Sequence, residues 1–202
     1  MNFNYEQNLI DKGFKNICGI DEAGRGPLAG PLVAAAVVLD KNNLAPFEKL
    51  QESKSLTEQK REEFFDVVIN NVRGWSVGMA HHYEIDLHGL GYANKIAMKR
   101  AWKHLPITPD FIALDYMAGL HFETDFQLIK KGDKNVLTIA AASIIAKVIH
   151  DRIMRAFALK YPEYGFEQHK GYGTKKHMEI IDKIGACPVH RSTFAGVKQK
   201  LF

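Results

Sequence analysis

The sequence predicts an α/β fold built on a mixed sheet, and three observations predict it. Five short apolar runs have strand character, and amphipathic helical segments fall between and after the later ones. The first two runs are separated only by a Gly/Pro turn, which returns the second antiparallel to the first. Strands first, then strand and helix in alternation, is the order of a sheet that mixes antiparallel and parallel pairs.

Taken along the chain, "NICGID" reads as a strand ending in two acids, and "GPLVAAAVVLD" as its antiparallel neighbour. Thr57 is placed to cap a helix through "EQKREEFFDVVINN", followed by a third strand in "GWSVGMAHHY". Leu90, Ala93, Ala97, Ala101 and Leu105 recur at three- and four-residue spacing and predict a second helix. "PDFIALDYM" is a buried strand that ends in Asp115, and "DFQLIKKGD" predicts a further strand running to Asp133. A long helix follows through "AAASIIAKVIHDRIMRAFALKYP", then a shorter one from Thr174 to Ile184, closed by Gly185.

Length and composition bound the rest. With 202 residues, 46% hydrophobic and 25% charged, the chain reads as a single domain over residues 1–202. No stretch approaches the roughly 20 apolar residues of a membrane span, and the polar N-terminus lacks the apolar core of a secretory signal, so a cytoplasmic protein is expected. Cys18 and Cys187 lie in no CxxC pair and read as reduced packing residues. The net charge of +4 is uneven: residues 169–202 carry +5 and the remainder −1, so the C-terminal end offers itself to a polyanion, with a solvated surface as the plain alternative.

"GIDEAGRGPLAG" is the most informative stretch. Gly24, Gly26 and Gly30 match neither nucleotide-binding glycine fingerprint, and Asp21 and Glu22 would repel a phosphate unless a cation lay between. Hard oxygen ligands suit Mg2+ or Mn2+, which hold a few carboxylates and take phosphate oxygens in their remaining positions. Asp115, ending an apolar strand where Val or Ile is expected, needs a partner of this kind. Asp133, in "KKGDKN", reads from spacing alone as a turn aspartate.

These residues carry a family resemblance. "ICGIDEAGRGPLAGPLVAAAVVL" is similar to the N-terminal signature of type 2 ribonuclease H, ribonuclease HII. The likeness continues through "ESKSLTEQKREE", "AMKRAWKHL", "ALDYM", "KKGDKNVLTIAAASIIAKVIHDR", "HKGYGTKKH" and "HRSTF". It implies a ribonuclease H-like fold, a mixed five-stranded sheet flanked by helices with a helical C-terminal segment, and residues from about 165 to 202 lining the substrate cleft. It implies a metal-dependent endonuclease that cuts RNA in RNA–DNA hybrids and nicks duplex DNA at embedded ribonucleotides, leaving 5′-phosphate and 3′-hydroxyl ends. By the same resemblance Asp21, Glu22, Asp115 and Asp133 are the catalytic, metal-binding carboxylates for two Mg2+ or Mn2+ ions. Asp21 would bridge the pair, and the turn reading of Asp133 gives way.

Gly24, Arg25 and Gly26 would let main-chain groups reach the 2′-hydroxyl, the group that separates RNA from DNA. Tyr172 would pack on the sugar beside the ribonucleotide and read the RNA-to-DNA junction, and Lys54 would contact phosphate. Glu52 and Ser55 beside Lys54, Gly89, and the "HRSTF" segment depart from the common family pattern, while the four acids do not. Asp151 is expected to form a surface pair with Lys147 on one helix face. His81 and His82 are expected on opposite faces of a strand, and His169 and His177 on a lysine-rich surface. Ser143 reads as a packing hydroxyl. A monomer is expected, and the tail "VKQKLF" reads first as a terminal helix turn and second as a docking peptide for a replication clamp. A non-catalytic nucleic-acid-binding module would account for the basic tail alone. A DNA nuclease or nucleotide phosphohydrolase would account for the acids alone.

Overall fold

The computed structural model describes residues 4–40, 42–47, 50, 56–115, 117 and 119–197. Lys54, with Glu52 and Ser55, and the tail after Val197 lie outside the described residues. Five strands form one sheet: β1 (Ile17–Ala23), β2 (Leu32–Leu39), β3 (Val72–Ala80), β4 (Phe111–Asp115) and β5 (Asp125–Ile129), in the order β3-β2-β1-β4-β5. β1 and β2 pair antiparallel, as do β2 and β3, whereas β4 pairs parallel with both β1 and β5. The mixed five-stranded sheet expected from the sequence is therefore present, with β1 at the point where the pairing direction changes.

Strand side chains alternate between faces, and the two faces are covered by different helices. Cys18 and Ile20 of β1, Ala34, Ala36 and Val38 of β2, and Ile112 and Leu114 of β4 pack on one face. They meet Ala93, Ala97, Met98 and Ala101 of α4 (Leu90–Lys103). On the other face, Ala35 and Val37 meet Phe65 and Val68 of α2 (Glu58–Asn71) and Ala141, Ala142 and Ile145 of α6 (Leu137–Lys160). Small side chains let α6 lie close on the sheet, and a β-carbon on Gly19 would run into the backbone of Thr138. Among the described residues no helix is long and apolar enough to cross a membrane.

Two elements escape sequence periodicity because distant residues stabilise them. α1 (Asn4–Asp11) has only eight residues, too few to hold as an isolated helix. It survives by docking Leu9 beside Ile17, Ala113 and Ile139. Its buried Glu6 accepts hydrogen bonds from the Thr138 N–H at 2.9 Å and the Thr138 hydroxyl at 3.2 Å. Glu6 thus caps α6 from 132 positions away, although burial raises its carboxyl above the ordinary range. This explains why α6 begins at Leu137, ahead of the alanine run, although Val136 offers no side-chain cap.

β3 stops at Ala80, so His81 and His82 do not share a strand as the sequence suggests. His81 is the N-cap of α3 (His82–His88), and its N–H donates to Glu84 at 2.9 Å. Glu84 also accepts two bonds from Arg100 of α4, at 2.8 and 3.0 Å, which hold its carboxyl down at about 2. After α6 come a 3-10 turn (Pro162–Tyr164), α7 (Phe166–His169) and α8 (Lys175–Ile184), the last capped by the Thr174 hydroxyl.

Glu6→Ala is expected to lower the unfolding free energy by about 1–2 kcal/mol, as loss of a buried helix cap does. The readout is the urea midpoint at unchanged slope, and an unmoved midpoint would show that α6 does not need α1.

Candidate active site

β1 carries its two acids at its carboxyl end, and strand alternation sends them to opposite faces of the sheet. Asp21 is buried and follows the face that α6 covers, where the Ser143 hydroxyl donates to it. Glu22 follows the face that α4 covers, where the buried Asn94 amide donates to it. β4 runs parallel to β1 with Ile20 opposite Leu114, so Asp115 comes up beside Asp21. Asp115 accepts the Gly132 N–H at 3.1 Å. Asp133 follows immediately, but not at the end of a strand. β5 stops at Ile129, Lys131 turns left-handed at φ 56°, and the buried Asp133 sits in the short α5 (Gly132–Asn135). The fourth carboxylate therefore reaches the neighbourhood of Asp115 on a helical turn.

The electrostatics favour a cation. Burial and the neighbouring charges of Glu22 and Asp115 push the Asp21 carboxyl well above its ordinary range. Burial also raises Glu22, opposed by Arg25, whose guanidinium lies 3.2 Å from the Glu22 carboxylate. Oxygen donors crowded at a cost to their own ionisation fit a hard divalent ion. Among the described residues no three acidic, imidazole or thiol groups close round an ion by themselves. Such an ion would be held by one or two carboxylates and completed by water and phosphate oxygens, as small divalent cations prefer.

Residues 24–31, between β1 and β2, form the glycine loop. Gly24 adopts φ 87°, and a β-carbon there would lie 2.5 Å from the His150 ring and 2.8 Å from the Pro31 carbonyl. The loop is gathered round Arg191, which is fully buried. Its guanidinium donates to the carbonyls of Gly24 (2.6 Å), Arg25 (2.9 Å), Gly30 (3.0 Å) and Pro31 (3.2 Å). In a planar trans peptide the N–H points opposite to the carbonyl. With the Gly24 and Arg25 carbonyls turned inward, the N–H groups of Arg25 and Gly26 point away from Arg191, an arrangement suited to an anion or hydroxyl oxygen. Gly26 faces the Tyr172 ring, and Glu22, Arg25, Gly26, Ser143, Lys147 and Tyr172 line one open cleft of about 270 Å³. Lys147 lies 5.5 Å from the centre of the Tyr172 ring.

The chain matches the family model for ribonuclease HII over residues 18–197. The chain belongs to the ribonuclease HII family. It is 45% identical over 194 residues to a ribonuclease HII of Bacillus licheniformis, covering 96% of this chain and 75% of that protein. It is 44% identical over 192 residues to a ribonuclease HII of Caldicellulosiruptor bescii, covering 95% and 92%. Its fold superposes with a TM-score of 0.79 on the crystal structure of ribonuclease H2 from Pyrococcus horikoshii OT3, at 29% identity over 92% of this chain and 97% of that one. As a ribonuclease HII the chain is an enzyme, a hydrolytic nuclease, and the fold is ribonuclease H-like.

Several residues of this ribonuclease HII site carry no signal of their own in the sequence. Ser143 proves to be a donor to Asp21 as well as a packing residue, and Asn94 lies inside a helix whose periodicity marks only its apolar face. Asp151 is not a surface partner: it is buried, 2.7 Å from the Lys147 ammonium and 3.1 Å from the His150 ring. Burial opposes its charge, but these two hydrogen bonds prevail and its carboxyl sits below the usual range. His177 is buried, not on a lysine-rich surface. Arg191 and Lys170, counted in the basic C-terminal charge, are buried too, and Lys170 pairs with Glu58 at 3.1 Å. Among the described residues of that segment, Lys175, Lys176 and Lys183 are the exposed cations. Both cysteines are free.

Arg191→Lys keeps the charge but supplies no planar fork, so the loop loses its template. Ribonuclease activity is expected to fall at least tenfold, since small displacements of reacting groups are costly; activity at the wild-type level would show the loop to be self-supporting. Asp151→Asn is expected to cost about 1–3 kcal/mol at pH 7, the range for breaking a buried charge-assisted bond. Because folding lowers this carboxyl from its ordinary 3.8, the contribution is complete above that value, begins to fall there, and is lost as the pH drops through the lower folded value. Urea titrations at pH 7 and pH 3 should show the difference from wild type closing in acid.

Proposed function

We propose that the enzyme hydrolyses the RNA strand of RNA–DNA hybrids and nicks duplex DNA at embedded ribonucleotides, leaving 5′-phosphate and 3′-hydroxyl ends. The observation that carries this reading is the gathering of Asp21, Glu22 and Asp115 at the end of β1, where Glu22 opens into the cleft that the main-chain loop over residues 24–26 lines. Acids of this kind call for divalent metal, and the outward N–H groups of Arg25 and Gly26 call for a backbone oxygen.

Asp21, Glu22, Asp115 and Asp133 would hold Mg2+ or Mn2+, with Asp21, whose carboxyl feels both Glu22 and Asp115, as the central ligand. Divalent metal bound there would supply activation of a water and charge stabilisation at the leaving oxygen. The chain's own groups set the stage. Ser143 and Asn94 fix the rotamers of Asp21 and Glu22. Arg25 leaves Glu22 to meet a phosphate, and the Arg25 and Gly26 amides reach the 2′-hydroxyl, so that DNA lacking it is held less well. The Tyr172 ring, 40% exposed and directly opposite Gly26, packs against the adjoining sugar. The reading takes residues 1–202 as one catalytic domain, acting in the cytoplasm as a monomer, with residues 165–202 contributing to the cleft wall.

The test is a DNA duplex carrying one ribonucleotide, incubated with Mg2+, with Mn2+, or with chelator. Metal-dependent nicking at the ribonucleotide that leaves 5′-phosphate and 3′-hydroxyl ends supports the reading; cleavage of all-DNA duplex at the same rate, or a break that leaves a cyclic phosphate, refutes it. In the same assay Asp21→Asn is expected to abolish most cleavage while duplex binding survives. Asp133→Asn should lower the rate by at least about a hundredfold, the scale of a lost metal ligand or catalytic group.

A further inference from the structure

Beneath Tyr172 lies a cluster that the reaction as described does not use. His169, His177 and His190 come from three segments, α7, α8 and the loop after α8, yet their rings form one continuous group. His169 stacks on His177 at 4.2 Å and 17°, and the ring centres of His177 and His190 are 5.2 Å apart. Phe166 packs edge-on against His177 at 5.6 Å, and Tyr164 lies 5.0 Å from His190. His177 and His190 are buried, and His169 is half-buried.

The hydrogen bonds favour one tautomer at each neutral ring. A neutral imidazole has one donor and one acceptor nitrogen, and a carbonyl can only accept. His177 Nδ1 lies 2.9 Å from the Tyr172 carbonyl and must donate to it, so His177 Nε2 is an acceptor. His190 Nε2, 3.0 Å away, must then donate, and His190 Nδ1 is left to accept the Cys187 N–H at 2.9 Å. His169 Nε2 donates to the Tyr164 carbonyl at 2.8 Å, and its Nδ1 accepts the Gly171 N–H at 3.2 Å. Every ring nitrogen has a partner when all three rings are neutral. An added proton on His169 sets N–H against the Gly171 N–H, and one on the His177–His190 pair must go to His190 Nδ1, where the Cys187 N–H at 2.9 Å opposes it and the Cys187 carbonyl at 3.2 Å would accept it.

Two of these bonds end on the backbone that carries Tyr172, one on the N–H before it and one on its carbonyl. That backbone needs holding, because Lys170 and Gly171 are consecutive left-handed residues, φ 51° and 83°, and the first is not a glycine. We infer that His169, His177 and His190 are positioning residues for Tyr172, a clamp of three neutral imidazoles that sets where its ring meets the nucleic acid. The inference rests on the reading of Tyr172 as a substrate contact. His177 grips the Tyr172 carbonyl, His169 grips the Gly171 amide, and His190 locks His177 in the donating tautomer.

The surroundings keep the clamp neutral. Burial lowers His177 and His190 to about 4; His169 further opposes charge on His177, and His177, His169 and His82 oppose it on His190. Burial lowers His169 too, with Lys176 and Lys170 facing it. The Cys187 thiol, 3.1 Å from His190 Nδ1, is raised to about 11 by burial and brings no negative charge. Folding therefore favours the neutral rings. Their contribution is complete above the ordinary histidine value of 6.5 and is lost as the pH falls from there towards 4.

The test uses the full-length enzyme. With 15N-labelled histidine, the clamp requires single neutral tautomers from pH 6 to 8: Nδ1–H at His177, Nε2–H at His169 and His190. A tautomer mixture at His177, or any of the three titrating near 6.5, overturns the inference without a variant being made. Kinetically, His177→Leu is expected to lose tenfold or more in the rate on a saturating single-ribonucleotide duplex, while duplex affinity changes less than about threefold. His177→Asn, whose amide N–H falls near the place of Nδ1, should recover most of that loss. Tyr172→Ala is assayed alongside, and again combined with His177→Leu. If Tyr172→Ala leaves the rate unchanged, the reading of Tyr172 fails and takes the clamp with it. If Tyr172→Ala lowers the rate but His177→Leu does not, or if the two losses multiply in the double variant, the clamp alone is wrong.

Discussion

The shape of the catalytic cleft depends on one buried cation. A guanidinium has five donors and no acceptor, and taking its charge out of water costs several kcal/mol unless its surroundings replace the solvent. Arg191 finds that replacement in four main-chain carbonyls, with the Phe194 ring at 5.0 Å. Burial lowers its pKa to about 10, which still leaves it protonated at neutral pH. A planar fork cannot bend to its acceptors, so residues 24–31 bend to it, and the outward amides of Arg25 and Gly26 follow from where their neighbours' carbonyls must point. The loop's own sequence needs only to permit this, which Gly24 does.

Around that template the sheet distributes the acids. Adjacent residues on a strand cannot share a face, so Asp21 and Glu22 draw on different layers of the fold, one steadied from α6 and the other from α4. β4 adds Asp115 because it is the parallel neighbour of β1 and ends level with it. α5 then both caps Asp115 and carries Asp133. The site stands at the carboxyl ends of two parallel strands, just where the next neighbour, β2, runs the other way. Open sheets commonly place ligands outside such ends, at a change of direction.

Much of this was legible in the chain. Unbroken apolar runs mark β1, β2 and the body of α6, and three- and four-residue spacing marks α4, because those elements bury one face or all of their surface against near neighbours. The Asp21–Glu22 pair stood out through chemistry, since two acids before a glycine loop demand a cation. What stayed hidden depends on partners far along the chain. α1 has no helical signature strong enough to announce itself, and its purpose appears only when Glu6 meets Thr138. Lys131, left-handed without being glycine, ends β5 early and moves Asp133 onto a helix, which no local preference foretells. Arg191, Asp151 and His177 all looked like surface charge or surface polarity. Each is buried because it satisfies groups that the sequence order keeps well apart.

The distance between Arg191 and the loop it shapes, 167 positions from Gly24, bears on how this enzyme comes into being. Chains are made from the N-terminus, and the strands bearing Asp21, Glu22 and Asp115 can begin to pair while the ribosome is still working. The glycine loop cannot take its final form until the arginine that gathers it has left the exit tunnel. A nuclease assembled in this order acquires its acids early and the final shape of its glycine loop last. A translation product broken off before residue 191 would carry the carboxylates beside a loop with no template for its fold.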